Sequence, residues 1–245
     1  MTAGDGPLVA VTRHGAVAVV QLRREAKLNA LSAELEGQLL DAVRGPEVTG
    51  SRAVLLTGGD RAFSSGADVT ELAGRSPAEV FAYYRSTGHV YEEVAGLPQP
   101  SVSAINGYCL GGGLELALAT DFRVAAADAV FGFPEVGLGI VPSSGGLHRL
   151  VRTVGAARAR ELVLARPRIG APEADTLGLL TEVCAPGVDP LARALKLADA
   201  LAALPPLAAS LALQAIDAAG EASREAALLI ERLCYATLAQ QPPGS

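Results

Sequence analysis

Short apolar, β-branched runs alternate with amphipathic helical stretches along this chain, and they recur in one order with short connections. Residues 8–12 and 16–22 are two such runs separated by Arg13-His14-Gly15, which reads as a hairpin. Residues 52–57 read as a buried strand, 58–66 as a Gly/Ser loop and 77–94 as a helical region. The order returns with a strand at 101–105, a helix at 111–119, short strands at 121–126 and 129–131, and helices within 145–164. Ser32 caps a further helix only in part, since Leu35 stands where a capping box needs Glu, while Leu35, Leu39, Leu40 and Val43 mark its apolar face. A repeated strand, strand, helix order predicts a layered α/β body with ligand loops gathered at one end of the strands. No exact sequence repeat accompanies it.

Beyond Arg166 the texture changes to Ala/Leu-rich helices, with Pro205-Pro206 breaking 191–204 from 207–219. This divides the chain into an α/β core over 1–165 and a helical region over 166–245. The apolar helix faces predict packing on the body or on a neighbouring subunit.

With 245 residues and 50% hydrophobic content the chain can bury a large core. Its 20 basic and 26 acidic residues give a net charge of -6, which argues against general affinity for nucleic acid or an anionic membrane. Cys109, Cys184 and Cys234 are odd in number and far apart, so neither a disulfide framework nor a zinc site is expected. His14 and His89 lack the spacing of a metal pair, and His148 reads as structural. The first seven residues lack a basic-then-apolar pattern and no apolar run reaches membrane-spanning length, so the expectation is a soluble cytoplasmic protein without metal.

The run Leu110-Gly111-Gly112-Gly113-Leu114-Glu115 and the later Phe131-Gly132-Phe133-Pro134-Glu135 carry the chemistry. Glycines let main-chain N–H groups approach a ligand, and at the opening of a helix those N–H groups favour developing negative charge. A carbonyl oxygen becoming an enolate fits beside two acids. Taken singly, the triplet is equally a turn, Glu115 a first-turn helix acid and Glu135 a solvated loop acid.

Together with Lys27-Leu28-Asn29-Ala30-Leu31, the block from Ala62 through Gly66-Ala67-Asp68-Val69, Asn106-Gly107-Tyr108 and Gly145-Gly146, these segments resemble the crotonase superfamily of enoyl-CoA hydratases and isomerases over most of the chain. The resemblance implies a crotonase-like α/β spiral of strand-strand-helix units with a C-terminal helical appendage. It implies an oxyanion hole from the N–H groups of Ala67 and Gly112, and it matches the two hydratase glutamates to Glu115, which would activate water, and Glu135, which would deliver the α proton. It places Lys27 near the nucleotide end of CoA and the main chain of Leu28 and Ala30 toward the ligand, and it counts Asp68 and Val69 with Ala67 and Gly112 among the residues that bind the acyl-CoA, whereas Arg23 and Arg24 read as exposed strand-end charges. Adding water to a 2-enoyl-CoA, with CoA as part of the substrate and no other cofactor, in a homotrimer or hexamer, is the implied activity. Isomerase or decarboxylase chemistry on the same hole, or non-catalytic acyl-CoA binding, are the alternatives. Family members continue past the helix near 231–239 into a final helix that helps cover the CoA adenine; residues 240–245 stand there in this chain, so weaker CoA contact is expected.

Overall fold

The computed structural model describes residues 6–72, 74, 76–166 and 168–240. Residues 1–5 and 241–245, which bear on the expectations about the leader and the tail, lie outside that set.

β1 (Val9–His14) and β2 (Val17–Leu22) form the expected hairpin, antiparallel from Val9 opposite Leu22 to His14 opposite Val17. α1 (Ala33–Arg44) starts at Ser32, whose Oγ accepts from the Leu35 N–H at 3.2 Å. Leu35, Glu36, Leu39 and Val43 are buried and Leu40 is half-buried, so the helix turns its apolar stripe inward. After α2 (Pro46–Thr49) come β3 (Ala53–Thr57) and β4 (Ala62–Ser64), followed by α3 (Val69–Leu72), α4 (Pro77–Tyr84) and α5 (Val90–Ala95). The order repeats with β5 (Ser101–Ile105), β6 (Tyr108–Leu110) and α6 (Gly112–Leu118), then with β7 (Phe122–Ala125), β8 (Val130–Gly132) and α7 (Gly146–Arg160). β9 (Ile169–Gly170), α8 (Ala171–Thr176), β10 (Glu182–Val183), α9 (Pro190–Ala202), α10 (Pro206–Ala219) and α11 (Arg224–Leu238) complete the chain.

Within each repeat the first strand joins one sheet and the second joins another, so the backbone spirals between them. The larger sheet has the order β1-β2-β3-β5-β7-β10 and the smaller β4-β6-β8-β9. Neighbours are parallel except β1 with β2 and β8 with β9. β4 lies inside the stretch 58–66 that reads as a loop, and β6 lies where no strand was expected. Each has only three residues, too few for an alternating pattern, and each is ordered by pairing with the other rather than by local sequence.

Alternation along the long strands divides the interior. Ala18, Val20, Val54 and Leu56 face the main core with Phe63, Phe131, Phe133 and Leu114, while Val17, Ala53, Leu55, Val102 and Ala104 face the other way. That outer face is covered by α9 through Ala194, Ala198 and Ala202, small residues four apart that let the helix lie close on the sheet. Both faces are thus buried, which is why β3 reads as a continuous apolar run. The composition changes at Arg166, yet β9 pairs with β8, β10 pairs with β7 and α9 belongs to the second core. The helices that pack mainly on one another begin at Pro206, and neither α10 nor α11 fully buries a residue. Among the described residues no single helix is long and apolar enough to cross a membrane; α9 and α10 together reach the length but are bent by 106°.

The consequence for function lies in the smaller sheet. β4, β6 and β8 are adjacent and parallel, so the loops after them emerge on one edge. Those loops carry Ala67, Gly112 and Glu135.

Candidate active site

Ala67 is set by a bridge to Leu31. The Leu31 N–H donates to the Gly66 carbonyl at 2.8 Å and the Asp68 N–H donates to the Leu31 carbonyl at 2.9 Å. These bonds point residues 66 and 68 toward Leu31, so the pleat turns the Ala67 N–H the opposite way. On that side lies the end of β6: a side chain begun on Gly66 would stand 3.4 Å from the Gly112 nitrogen, and one begun on Gly112 would stand 3.4 Å from the Ala67 nitrogen. Gly112 opens α6, where an N–H has no intrahelical acceptor. Among the described residues neither N–H meets an acceptor. Two donors therefore share one small space.

Gly111 ties this space to the first acid. Its N–H donates to the Gly132 carbonyl at 2.8 Å, joining the end of β6 to the end of β8, and its φ of +51° suits glycine. A side chain at Gly111 would begin 2.6 Å from Glu135 Oε1, so the missing Cβ is what admits the carboxyl. Glu135 opens a short 3-10 turn (Glu135–Leu138), is 8% exposed, and its Oε2 has no hydrogen-bond partner among the described residues. Burial, and then the charge of Glu115, push its pKa up to about 7.

Glu115 sits in the first turn of α6 and is buried. Its Oε1 accepts from the Ser144 N–H at 2.8 Å and the Gly146 N–H at 2.9 Å, which places the carboxylate on the N-terminus of α7, the positive end of that helix. Burial pushes Glu115 above the usual carboxylate range; the N–H groups of Ser144, Gly146 and Ser143 and the Arg149 guanidinium oppose that rise. The two acids are thus held differently: Glu115 accepts from the N–H groups of the turn before α7, whereas only its own N–H opposes the burial of Glu135. Such a site can stabilise a carbonyl oxygen while one acid accepts a proton and the other gives one.

The chain matches the family model described as enoyl-CoA hydratase/isomerase over residues 12–242. It belongs to that family. It is 39% identical over 234 residues to Bacillus subtilis YngF, named as an enoyl-CoA hydratase/isomerase, covering 95% of this chain and 89% of that protein. It is 36% identical over 226 residues to the short-chain-enoyl-CoA hydratase of Clostridium acetobutylicum, covering 91% and 86%. The crystal structure of an enoyl-CoA hydratase from Bacillus anthracis superposes with a TM-score of 0.89 at 36% identity, covering 96% of this chain and 92% of that one. The α/β spiral expected from the resemblance is the fold of these crotonase-type relatives.

Within this family member the remaining expected residues lie in the loop between β2 and α1 and in the stretch from β4 into α3. Lys27 is exposed at the end of a 3-10 turn (Glu25–Lys27). Leu28 and Ala30 have both main-chain groups engaged: Leu28 N–H with Glu25 and its carbonyl with Ser65 N–H, Ala30 N–H with Lys27 and its carbonyl with Arg24 Nη1. Each carbonyl has a second lone pair beyond that bond. Val69 is exposed. The Asp68 carboxylate is taken by neighbours, accepting from the Thr70 hydroxyl and from Arg24 Nη1 at 2.7 Å, which hold it below the usual carboxylate range. Arg24 is therefore a half-buried strut rather than the exposed charge expected at a strand end. The alternation of β2 carried on past Leu22 would have turned it inward with Val20 and Leu22.

Two more side chains escaped the sequence reading. Tyr91, fully buried, donates to Glu36 Oε1 at 2.9 Å, and a side chain begun on Gly112 would stand 3.1 Å from its hydroxyl. Arg149 donates to the Ser144 carbonyl at 3.1 Å. Helical side chains lean toward their own N-terminus, so an arginine three positions into α7 covers the turn before it. His148 instead pairs with Glu221 on the surface at 3.2 Å.

Proposed function

We propose that this protein adds water across the double bond of a 2-enoyl-CoA thioester, with the thioester oxygen between the N–H groups of Ala67 and Gly112. The observation that carries the reading is the unequal pair of buried acids beside those two donors. Negative charge moves onto the thioester oxygen as the β carbon is attacked, and preformed N–H donors lower the barrier where that charge develops. Glu115, whose carboxylate is held by N–H groups, takes a proton from water as its oxygen bonds to the β carbon. Glu135, its pKa near 7, keeps a proton available near neutral pH and gives it to the α carbon. Transfer of one proton from Glu115 to Glu135 restores the starting state.

Lys27, exposed at the end of its 3-10 turn, is the residue assigned to the phosphates of CoA, which enters as part of the substrate and not as a separate cofactor. A mass-spectrometric screen of enoyl-CoA thioesters tests the assignment by the gain of one water. Glu115→Gln and Glu135→Gln are each expected to lower hydration by orders of magnitude while CoA-thioester binding stays near that of the unmodified protein. Near-full turnover in Glu115→Gln overturns the two-acid mechanism. Isomerised or decarboxylated product without hydration gives the reaction to another branch of the family, and binding without product makes the protein an acyl-CoA binder.

A further inference from the structure

The turn that supplies N–H groups to Glu115 is itself braced by side chains. Ser143 Oγ is hydrogen-bonded to the Tyr84 hydroxyl at the end of α4. Arg149 folds back from α7, with Nη1 donating to the Ser144 carbonyl at 3.1 Å and Nη2 donating to Glu92 Oε1 on α5 at 2.7 Å. Its side chain is only 15% exposed. Gly145 between them has φ of +87°, and a side chain there would collide with the guanidinium. One arginine thus links α5, the turn and α7.

We propose that Arg149 is a positioning residue for Glu115: by gripping the Ser144 carbonyl and anchoring on Glu92 it fixes the turn whose N–H groups orient the Glu115 carboxylate. It does so without contact to substrate. The inference rests on the role given to Glu115 above. The peptide unit that carries the Ser144 carbonyl lies between the two units whose N–H groups, those of Ser144 and Gly146, reach Glu115 Oε1, so holding that carbonyl fixes the backbone from which both donors project. The titratable groups that face Glu115 are Glu135 from the 3-10 turn, the neutral Tyr91 hydroxyl from α5 and the Arg149 guanidinium from α7. Of these Arg149 alone is cationic, and it favours the ionised carboxylate. Removing it leaves burial less opposed, so Glu115 holds its proton to higher pH.

Arg149→Gln is expected to lower kcat roughly 100-fold, the scale of a small misplacement of a reacting group, with KM nearly unchanged. The acidic limb of the kcat profile moves to higher pH. Arg149→Lys restores the charge but not the fork, so its limb returns toward that of the unmodified protein while kcat recovers only in part. Carbon-13 NMR of protein labelled at the glutamate carboxyl carbons, with Glu115 assigned by its loss in Glu115→Gln, reads the same titration without turnover. An upward move of that midpoint in Arg149→Gln supports the proposal even if the unmodified protein hydrates no enoyl-CoA, a result that would count against the hydratase reading alone. An unmoved midpoint in Arg149→Gln overturns it, as does a kcat loss in Arg149→Lys that follows only a fall in melting temperature.

Discussion

At Glu135 two effects act in the same direction: burial disfavours the ionised form, and so does the neighbouring charge of Glu115. The glycine at 111 is what lets the carboxyl into that place, and it leaves Oε2 without a hydrogen-bond partner among the described residues. A carboxyl whose pKa is raised on folding binds more protons in the native state than in the unfolded one, so it subtracts from stability as pH climbs from about 4.5 to about 7. Glu135→Gln, lacking that ionisation, is expected to gain on the unmodified protein over the same window. The gain is at most roughly 3 kcal/mol, read by urea unfolding at about pH 5 and about pH 8. Equal differences at both pH values would mean that Glu135 is not held in its proton-bearing form. The variant that folds better is thus the one expected to lose hydration, because the same buried carboxyl is the proposed acid.

The element that best shows how packing selects residues is α9. Its Ala194, Ala198 and Ala202 are buried in one cluster with Val17, Leu55, Val102 and Val124, and close-packed interiors leave little room for added methylenes. Ala198→Leu is expected to destabilise the fold by roughly 1–3 kcal/mol through overpacking, measured as a lower denaturant midpoint. An unchanged midpoint would show that α9 is free to lift from the sheet. Among the strands, β3 is legible because the apolar run Ala53-Val54-Leu55-Leu56 between turns has few other uses, and β5 because Val102, Ala104 and Ile105 are spaced only by small serines. β4 and β6 are illegible locally, although Ala67 and Gly112, the proposed oxyanion donors, follow their ends.

For the whole molecule the open question of surface is set by α10 and α11. Ile216, Leu229, Leu233 and Tyr235 are exposed on this pair, and a crevice of about 710 Å³ separates α10 from the body, with Leu213, Ile216 and Asp217 on one wall and Arg149 and Arg152 on the other. Apolar helix faces of this kind are covered by association in soluble proteins. The chain is accordingly expected to form trimers or their dimers, tested by light scattering at micromolar concentration; a monodisperse monomer would overturn this. By itself the sequence determined the α/β class, the hairpin, the long buried strands and the ordered blocks that identify the family, since these depend on local periodicity and on residue types in series. It also named Ala67, Gly112, Glu115 and Glu135, through resemblance and not through any pattern of spacing. Only the tertiary structure decided that the ends of β4, β6 and β8 meet on one edge, that Glu115 accepts from the N-terminus of α7 while Glu135 meets no such helix end, and that Arg24 and Arg149 turn inward as struts. Those are consequences of contacts between residues far apart in the chain, where local propensity is silent and the energy of burying a charge depends on what else has been folded around it.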